Sequence, residues 1–252
     1  MAGEKRLIVV QKAIQREKKI SVTDLSRICN VTEETIRRDL DKLESDGVIT
    51  RVHGGAIWNQ NMQKDGINFY RRLNRHIKEK QIIAERISSL LLEKNTLIAD
   101  SSTTVVEALK FVSNSAELTV VTNSTFIFHE LCQSNINIIS TGGEFNQKSL
   151  SLQGQSAKSN IYRYNVQLAL ISCKGLSIKK GIFDSNEEEA EIKKAMLSQA
   201  KEVALLVDHS KFDQVAFINL IDFQKVNYVI TDRQPSDKWC NFLKDKNITL
   251  IY

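Results

Sequence analysis

A run of small polar residues, Asp100 to Thr104 (DSSTT), follows a short apolar segment and carries groups that suit anion binding. Residues 96–99 predict a strand and residues 105–112 predict a helix, so the run lies at a strand-to-helix turn. Successive backbone N–H groups, hydroxyl groups and the positive end of a helix together attract a phosphate or a carboxylate. The sequence therefore predicts an anion pocket at this turn.

Four more loops carry hydroxyl, amide, bare backbone or ammonium groups at the ends of further predicted strands. They contain Thr122-Asn123, Gly142-Gly143, Lys174 and Lys211. Because ligands of open parallel sheets bind at the carboxyl ends of the strands, the five loops are expected to converge on a small phosphorylated ligand. Taken singly, each loop is more simply a polar turn that caps a helix, and only the whole set favours ligand binding.

The acidic segment at residues 184–189 has two interpretations. In the structural one, which we favour, Ser185 or Asn186 caps the next helix and Glu189 pairs with Lys193. In the functional one, Asp184 or Glu187 approaches hydroxyl groups of the ligand.

Metal and catalytic signatures are weak. The four histidines lack metal-ligand spacing, and the four cysteines form no CxxC pair. Asp208, His209 and Ser210 are neighbours in sequence and therefore point apart, which argues against a catalytic triad. We expect no cofactor, no metal and no catalytic residue.

A second group of chemically suited residues lies near the N-terminus, on a predicted helix at residues 33–46. Ile36, Leu40 and Leu43 share one face of this helix, so the polar residues take the opposite face and its flanks. The outward and flanking positions are Glu34, Thr35, Arg37, Arg38, Asp41 and Lys42. A helix in the major groove presents its first residues to base edges, and arginine bonds guanine with two hydrogen bonds. The alternative is an ordinary three-helix bundle with surface arginines.

The elements around this helix are typical of a winged helix-turn-helix over residues 1–58. A helix at residues 4–17 precedes a short helix that Ser21 opens, and Thr32 can cap the third helix after a tight turn. Asp46-Gly47 ends that helix, and residues 48–52 and 56–58 form a hairpin. Arg51 and His53 on this hairpin could reach the DNA backbone. The polar residues from 59 onward read as a linker, to residue 74.

From residue 75 the pattern becomes an alternation of strands and helices. A helix with Ile82, Ile83, Ile87, Leu90 and Leu91 on one stripe comes first. Strands are predicted at residues 96–99, 118–121, 136–140, 166–172, 203–207, 226–230 and 248–251, and helices at 105–112, 126–132 and 239–243. This alternation predicts an α/β domain with a mostly parallel sheet at residues 75–252.

Charge and hydropathy agree with a nucleic-acid-binding first third. Residues 1–80 hold 17 Lys and Arg against 11 Asp and Glu, and the remaining residues are nearly neutral. No apolar stretch approaches the roughly 20 residues of a membrane span, and the N-terminus lacks a signal-peptide cleavage site. We expect a cytoplasmic protein without disulfides.

Several segments resemble the DeoR family. SVTDLSRICNVTEETIRRDLDKLESDGVITRVHGGAI resembles the DeoR-type winged helix, most specifically in TIRRDLDKLE and RVHGGA. IADSSTT, VVTNS, TGGEFN, SLQG, ISCKGLS, GIFDSNEEEAEIKKAML and DHSKFDQVAF resemble the DeoR-type sensor domain, which is similar in fold to ribose-5-phosphate isomerase. The family loop commonly reads Asp-Ser-Gly-Thr-Thr, and here Ser102 replaces the glycine. A position that needs a positive φ would make this serine costly.

The resemblance implies a repressor of a carbohydrate-utilisation operon whose operator affinity is changed by a sugar phosphate. The expected partners are double-stranded operator DNA and the effector, with no membrane, in a homo-oligomer (dimer or tetramer). The candidate DNA contacts are Ser21, Thr32, Glu34, Thr35, Arg37, Arg38, Lys42, Arg51 and His53. The candidate effector contacts are Asp100, Ser101, Ser102, Thr103, Thr104, Thr122, Asn123, Gly142, Gly143, Lys174, Asp184, Glu187 and Lys211. The alternatives are a phosphosugar isomerase with an appended head, which needs Asp184 or Glu187 as its base, and an interaction protein without a ligand.

Overall fold

A computed structural model describes residues 3–45, 49–52, 54–58, 67–113 and 117–252. The chain divides into two compact units, residues 1–76 and residues 77–252. No helix of the described residues is long and apolar enough to cross a membrane.

The first unit is a winged helix-turn-helix. Its elements are α1 (Gly3–Glu17), β1 (Lys19–Ser21), α2 (Val22–Cys29), α3 (Glu33–Ser45), β2 (Ile49–Val52), β3 (Gly55–Trp58) and α4 (Ile67–Asn74). The hairpin β2–β3 is antiparallel, and β1 adds a third strand in the order β1-β3-β2. The strand β1 was not predicted, and α4 lies in the segment that was predicted as linker. Asp46-Gly47, His53 and residues 59–66 lie outside the described residues.

Apolar residues at helical spacing close the core of this unit. Ile14, Leu25, Ile36 and Leu40 are completely buried, and Leu43 is nearly so. Asn30 adopts a left-handed conformation that ends α2, with φ 51° and ψ 52°. The turn between α2 and α3 therefore has the geometry that brings these two apolar faces onto the same core.

The second unit is an α/β domain. Its helices are α5 (Ile77–Leu92), α6 (Thr103–Phe111), α7 (Thr125–Glu130), α8 (Gly154–Ile161), α9 (Glu187–Ser198) and α10 (Asp237–Asp245). Its strands are β4 (Thr96–Ala99), β5 (Thr119–Thr122), β6 (Asn137–Ser140), β7 (Glu144–Asn146), β8 (Ser151–Gln153), β9 (Val166–Ile171), β10 (Gly175–Ser177), β11 (Gly181–Asp184), β12 (Ala200–Leu206), β13 (Ile218–Ile221), β14 (Tyr228–Ile230) and β15 (Thr249–Ile251).

Seven strands form one parallel sheet in the order β15-β14-β12-β9-β4-β5-β6. All seven were predicted near their observed positions, because buried parallel strands appear in the sequence as continuous apolar runs. The sequence pattern missed an antiparallel sheet, β10-β11-β13, and the hairpin β7–β8. On α5, Ile83, Ile87 and Leu91 of the predicted stripe are buried, but Ile82 is 37% exposed and Leu90 is half-buried. Lys80 and Ala84 are buried as well.

Candidate DNA-binding and anion-binding sites

The five predicted anion-binding loops follow five strands that are direct neighbours in the sheet, in the order β12, β9, β4, β5 and β6. Because these strands are parallel, all five loops lie along the same edge of the sheet. Topology therefore brings together segments that are far apart in sequence, as an open α/β sheet requires for a ligand site.

The loop after β4 leaves the start of α6 without a side-chain cap. Ser102 occupies the N-cap position, but its side chain accepts no hydrogen bond from the helix. Instead, both its backbone N–H and its hydroxyl group donate to Asp100 Oδ1. The backbone of Ser102 is extended, with φ −78°, so this position does not require glycine. The serine at this position is therefore accommodated without backbone strain.

Two residues near this helix end are buried as whole residues, and their hydroxyl groups have no hydrogen-bond partner among the described residues. Ser101 is 7% exposed and Thr104 is 5% exposed. Within the described parts of the chain, neither side chain makes a hydrogen bond. Thr103, between them on the chain, is also buried. Neither hydroxyl oxygen is among the fully buried polar atoms that lack a partner within the described residues, so both stay open to solvent. Unpaired hydroxyls that solvent can reach, beside a helix N-terminus, are what an anion pocket would present.

The loop after β5 contributes a structural residue and an unpaired acceptor. The Thr122 hydroxyl donates to the Ala99 carbonyl at 2.7 Å and accepts from the Ser124 N–H at 3.1 Å, so it links β4 to β5. The Asn123 side-chain amide donates to the Leu152 carbonyl at 3.0 Å. Asn123 Oδ1 is buried and has no partner within the described residues.

The two glycines after β6 have positive φ angles, 62° at Gly142 and 109° at Gly143. A Cβ atom at Gly143 would lie 2.4 Å from the Gln153 carbonyl oxygen and 2.7 Å from Ala157 Cβ. A Cβ atom at Gly142 would meet only Asn160 Nδ2, at 3.5 Å. Gly143 is therefore required by the close approach of α8, whereas Gly142 is required only by its backbone conformation.

The two predicted lysines lie half-buried beside β9 and β12. Lys174 follows β9, and Lys211 ends a short 3-10 turn at residues 209–211 that Asp208 caps through the Ser210 N–H at 2.9 Å. His209 pairs with Asp232, Nδ1 to Oδ2 at 2.7 Å. No group of three or more potential metal ligands occurs within the described residues.

Lys193 forms a buried ionic network that the sequence did not reveal. Its Nζ donates to Asp184 Oδ2 at 2.5 Å and to the Ser172 carbonyl at 2.7 Å, and lies 3.2 Å from Asp100 Oδ2. The expected ion pair between Glu189 and Lys193 is therefore wrong. One sign was visible in the sequence: Lys193 interrupts the apolar stripe of α9 at helical spacing from Ala190.

This network controls the ionisation of both partners. Burial tends to raise the pKa of Asp184, but the ammonium group of Lys193 outweighs it and holds this pKa below its usual value. Burial tends to lower the pKa of Lys193, but Asp184 and Asp100 together raise it. Asp184 is completely buried and also accepts the Ser185 N–H at 2.7 Å, so it acts as an internal ion-pair partner. Glu187 lies exposed in the first turn of α9, which Asn186 caps through the Glu189 N–H at 3.0 Å.

The outward face of α3 matches the expected DNA-reading surface. Glu34, Arg37, Arg38, Asp41 and Lys42 are exposed, and Thr35 is half-buried. Two of these residues are paired within the helix: Arg37 contacts Glu33 at 2.9 Å, and Arg38 lies 3.5 Å from Glu34. Such exposed pairs are weak, so the arginines can exchange them for DNA groups at little cost.

Ser21 and Thr32 have local roles at the helix starts. The Ser21 hydroxyl oxygen accepts from the Asp24 N–H at 3.0 Å and caps α2, as predicted. The Thr32 hydroxyl oxygen lies 3.4 Å from the Thr35 N–H, at the start of α3. These bonds leave both residues on the polar surface at the ends of the helices.

Arg51 contacts α3, the helix that is predicted to contact DNA and is called the reading helix below. Its guanidinium donates to Asp41 Oδ1 and to the Arg37 carbonyl at 3.3 Å, and its backbone N–H donates to Glu44 Oε1 at 2.9 Å. Sequence reasoning assigned Arg51 to the DNA backbone, whereas this structure turns it towards α3. It also places a buried carboxylate, Asp39, on the inner face of α3.

Comparison with known families settles the class of protein. A sequence model of the DeoR-like helix-turn-helix domain matches residues 6–62, and one of the DeoR C terminal sensor domain matches residues 75–233. The chain belongs to the DeoR family. As a DeoR-family protein it is a DNA-binding transcriptional regulator.

Curated DeoR-family relatives extend over the whole chain. The HTH-type transcriptional repressor GlcR of Bacillus subtilis is 33% identical, with 100% of this chain and 96% of the relative covered. The L-fucose operon activator of Haemophilus influenzae is 32% identical over 94% and 95%. The lactose phosphotransferase system repressor of Streptococcus mutans is 32% identical over 94% and 95%.

These relatives are regulators, so the isomerase alternative is wrong for this DeoR-family chain. Of the two candidate bases, Asp184 is engaged by Lys193 and by the Ser185 N–H, and Glu187 is exposed on the first turn of α9. Among solved structures, ribose 5-phosphate isomerase from Plasmodium falciparum matches with a TM-score of 0.39 and 13% identity, over 53% of this chain and 52% of the other.

Proposed function

We propose that the chain represses a carbohydrate-utilisation operon and that a phosphorylated sugar, bound at the strand-end loops of residues 77–252, changes its affinity for the operator. The names of the relatives support a sugar-linked role: one is an L-fucose operon activator and another a lactose phosphotransferase system repressor. Two of the three relatives are named repressors, which favours repression.

The observation that carries the effector assignment is the start of α6. Its N-cap side chain bonds Asp100 instead of the helix, and the hydroxyls of Ser101 and Thr104 beside it have no hydrogen-bond partner in the described structure. A phosphate at this position would accept from these hydroxyls and interact with the positive end of the helix. Lys174 and Lys211, on the loops after the neighbouring strands β9 and β12, would supply further positive charge.

The sugar part of the ligand would meet the loops after β5 and β6. Asn123 Oδ1 is an acceptor, because its amide nitrogen already donates to the Leu152 carbonyl. An acceptor suits a sugar hydroxyl and disfavours a phosphate oxygen. The bare backbone of Gly142 and Gly143 would allow a close approach at the adjacent strand end.

At the DNA, Arg37, Arg38 and Lys42 would contact bases and phosphates from the exposed face of α3, with Thr32 and Thr35 at its N-terminal end. A symmetric operator calls for paired heads, so we propose a homo-oligomer. The effector would act by linkage: a sugar phosphate that prefers the arrangement with low operator affinity shifts the population towards it.

The test is operator binding by the purified full chain at fixed salt, with DNA from its own upstream region. The DNA complex is titrated with a panel of sugar phosphates and with the unphosphorylated parent of each. We expect one sugar phosphate, but not its parent, to weaken binding. Specific DNA binding that no phosphate alters would overturn the effector assignment and leave the DNA-reading head intact.

A further inference from the structure

We propose that Lys193 is the positioning residue of the effector pocket: it fixes the loops after β4 and β9 through a hydrogen bond and an ion pair, and it does not contact the effector. This inference rests on the proposed function only for the identity of the pocket. Its structural basis is the set of three acceptors around one buried ammonium group, two of which, the Ser172 carbonyl and Asp100, come from the loops after β9 and β4.

Lys193 donates two hydrogen bonds and forms an ion pair with a second carboxylate. An ammonium group has three protons, and Nζ is surrounded by Asp184 Oδ2 at 2.5 Å, the Ser172 carbonyl at 2.7 Å and Asp100 Oδ2 at 3.2 Å. Lys193 is only 6% exposed. The side chain is therefore fixed in a single arrangement by partners from three different segments.

Two of these partners belong directly to the anion loops. Asp100 Oδ2 also accepts the Ser172 N–H at 3.0 Å, and Asp100 Oδ1 accepts the Ser102 N–H at 2.9 Å, at the start of α6. Lys193 thus holds the carboxylate that orients the uncapped helix end. It also holds the Ser172 backbone, two residues before Lys174.

Electrostatics gives the same residue a second effect on the pocket. Asp100 is 1% exposed and Asp184 is 0% exposed, so both carboxylates lie inside the unit. Without a buried cation they would repel each other, and they would also repel a phosphate at the start of α6. Lys193 neutralises one of these charges and makes the edge of the sheet tolerant of an anion.

Stability alone does not call for an ion pair between Lys193 and Asp184, because replacing both charges together is often neutral for stability. Ala190, one turn earlier on α9, and Leu197, one turn later, are buried, so an apolar residue at position 193 would extend their stripe. Well-packed apolar residues often equal or exceed a buried ion pair in stability. What the lysine adds is the geometry of the three segments it joins.

The experiment uses the full chain with Lys193→Met and with the double variant Lys193→Met/Asp184→Asn, which reduces the buried negative charge and protects folding. Lys194→Met is the matched control, because Lys194 is the next residue, is exposed and pairs with Glu191 on the surface. Amide hydrogen exchange at Ser102 and Ser172 and the effector concentration for half-maximal operator release are measured on each protein.

We expect exchange at both amides to be at least ten-fold faster in the double variant, and the half-maximal effector concentration to rise at least ten-fold, with Lys194→Met unchanged. Wild-type exchange and a wild-type effector response in the double variant would overturn the proposal, because charge balance alone would then be sufficient. If the wild-type chain responds to no sugar phosphate, the proposed function fails, and the exchange data still decide the role of Lys193.

Discussion

The guanidinium of Arg6 on α1 holds the carboxylate of Asp39 on α3 with two hydrogen bonds, Nε to Oδ2 at 2.5 Å and Nη2 to Oδ1 at 3.1 Å. This bond to Asp39 raises the pKa of Arg6. Asp39 is 2% exposed, so α3 is fastened to the core through a polar group on its inner side. Arg51 contacts Asp41 on its outer side. The reading helix is thus held by an arginine on each side.

Arg51 should support the reading helix without contributing a phosphate contact. We expect Arg51→Met to weaken operator binding about ten-fold, because hydrogen bonds to charged groups are worth roughly 1.5–3 kcal/mol. The slope of log K against log salt should not change, since Asp41 already neutralises this guanidinium. Anisotropy titrations of operator DNA at about 50 to 200 mM salt measure both the affinity and its salt slope.

Arg38→Met is the comparison, because the Arg38 side chain is 77% exposed. If Arg38 contacts a phosphate, Arg38→Met should reduce the slope of log K against log salt by about 0.9. A base contact would instead reduce the preference for operator over random DNA. A reduced slope for Arg51→Met would show that Arg51 leaves Asp41 and binds phosphate.

The unpaired hydroxyl of Thr104 should contact the effector phosphate. We expect Thr104→Val to raise the effector concentration for half-maximal release by about 10–100-fold, since a hydrogen bond to a charged group is worth roughly 1.5–3 kcal/mol. Thr119→Val at the opposite end of β5 is the control, because the Thr119 hydroxyl bonds Asn137 far from the pocket edge. Equal effects of the two substitutions would argue against a phosphate at α6.

The two glycines after β6 should tolerate alanine very differently. Gly142→Ala should lower the free energy of unfolding by about 1 kcal/mol, the cost of a left-handed residue with open space around it. Gly143→Ala should cost at least about 3 kcal/mol, because its Cβ would clash with the Gln153 carbonyl at 2.4 Å. Urea denaturation of both variants tests this order, and similar costs would show that the loop moves away from α8.

Ser102→Gly, which restores the residue common in the family, should bring no gain. The φ of −78° at this position suits any residue, and glycine removes the hydroxyl bond to Asp100. We expect a loss of about 0.5–1.5 kcal/mol in unfolding free energy. The half-maximal effector concentration should stay within about two-fold of wild type, because a nearly neutral substitution usually changes a free energy by less than about 0.5 kcal/mol. A clearly tighter effector response would show that the pocket needs closer backbone approach there.

Lys193→Met should lower the free energy of unfolding by about 3–5 kcal/mol at neutral pH, because it leaves buried carboxylates without their cation. Lys194→Met should cost less than about 0.5 kcal/mol, as expected for an exposed surface pair. Chemical denaturation of the two variants side by side measures the difference. Equal costs would mean that the ammonium group is not confined to the interior.

The cost of Lys193→Met should depend on pH in a defined direction. In the wild type, the pKa of Asp184 is lowered by folding. The stability that this carboxylate contributes is therefore fully present above pH 3.8, its ordinary pKa, and is lost as the pH falls through the lower pKa of the folded state. The raised pKa of Lys193 preserves its contribution up to 10.5, and the contribution is lost as the pH rises further. Without Lys193, burial raises the pKa of Asp184, so acid should reduce the deficit of the variant. A deficit that is constant with pH would contradict the buried network.

The sequence predicted the elements well wherever periodicity is local. The apolar runs of β4, β5 and β9 and the stripe Ile36, Leu40 and Leu43 carry their own signal. Strands of three residues, such as β1, β7 and β10, are too short for alternation to show, and only pairing with a distant segment defines them.

The positions of the candidate site could likewise be predicted, but the direction of its side chains could not. Thr122 was expected just after a strand; it is the last residue of β5, and its hydroxyl donates to the Ala99 carbonyl on the neighbouring strand. Asp184 was a candidate ligand contact, but its carboxylate accepts a hydrogen bond from Lys193. Such choices depend on partners brought close only by the tertiary fold, which a single sequence does not reveal.

The central place of β4, between β5 and β9, has a consequence for the order in which the two units of a newly made chain fold. The pocket requires Asp100 to meet Ser172, 72 residues further along, whereas Arg6 and Asp39 in the reading head are 33 residues apart. Long-range pairing is slower, and the N-terminal unit leaves the ribosome first. We therefore expect α3 to reach its place in the core of residues 1–76 before β9 completes the centre of the sheet in residues 77–252.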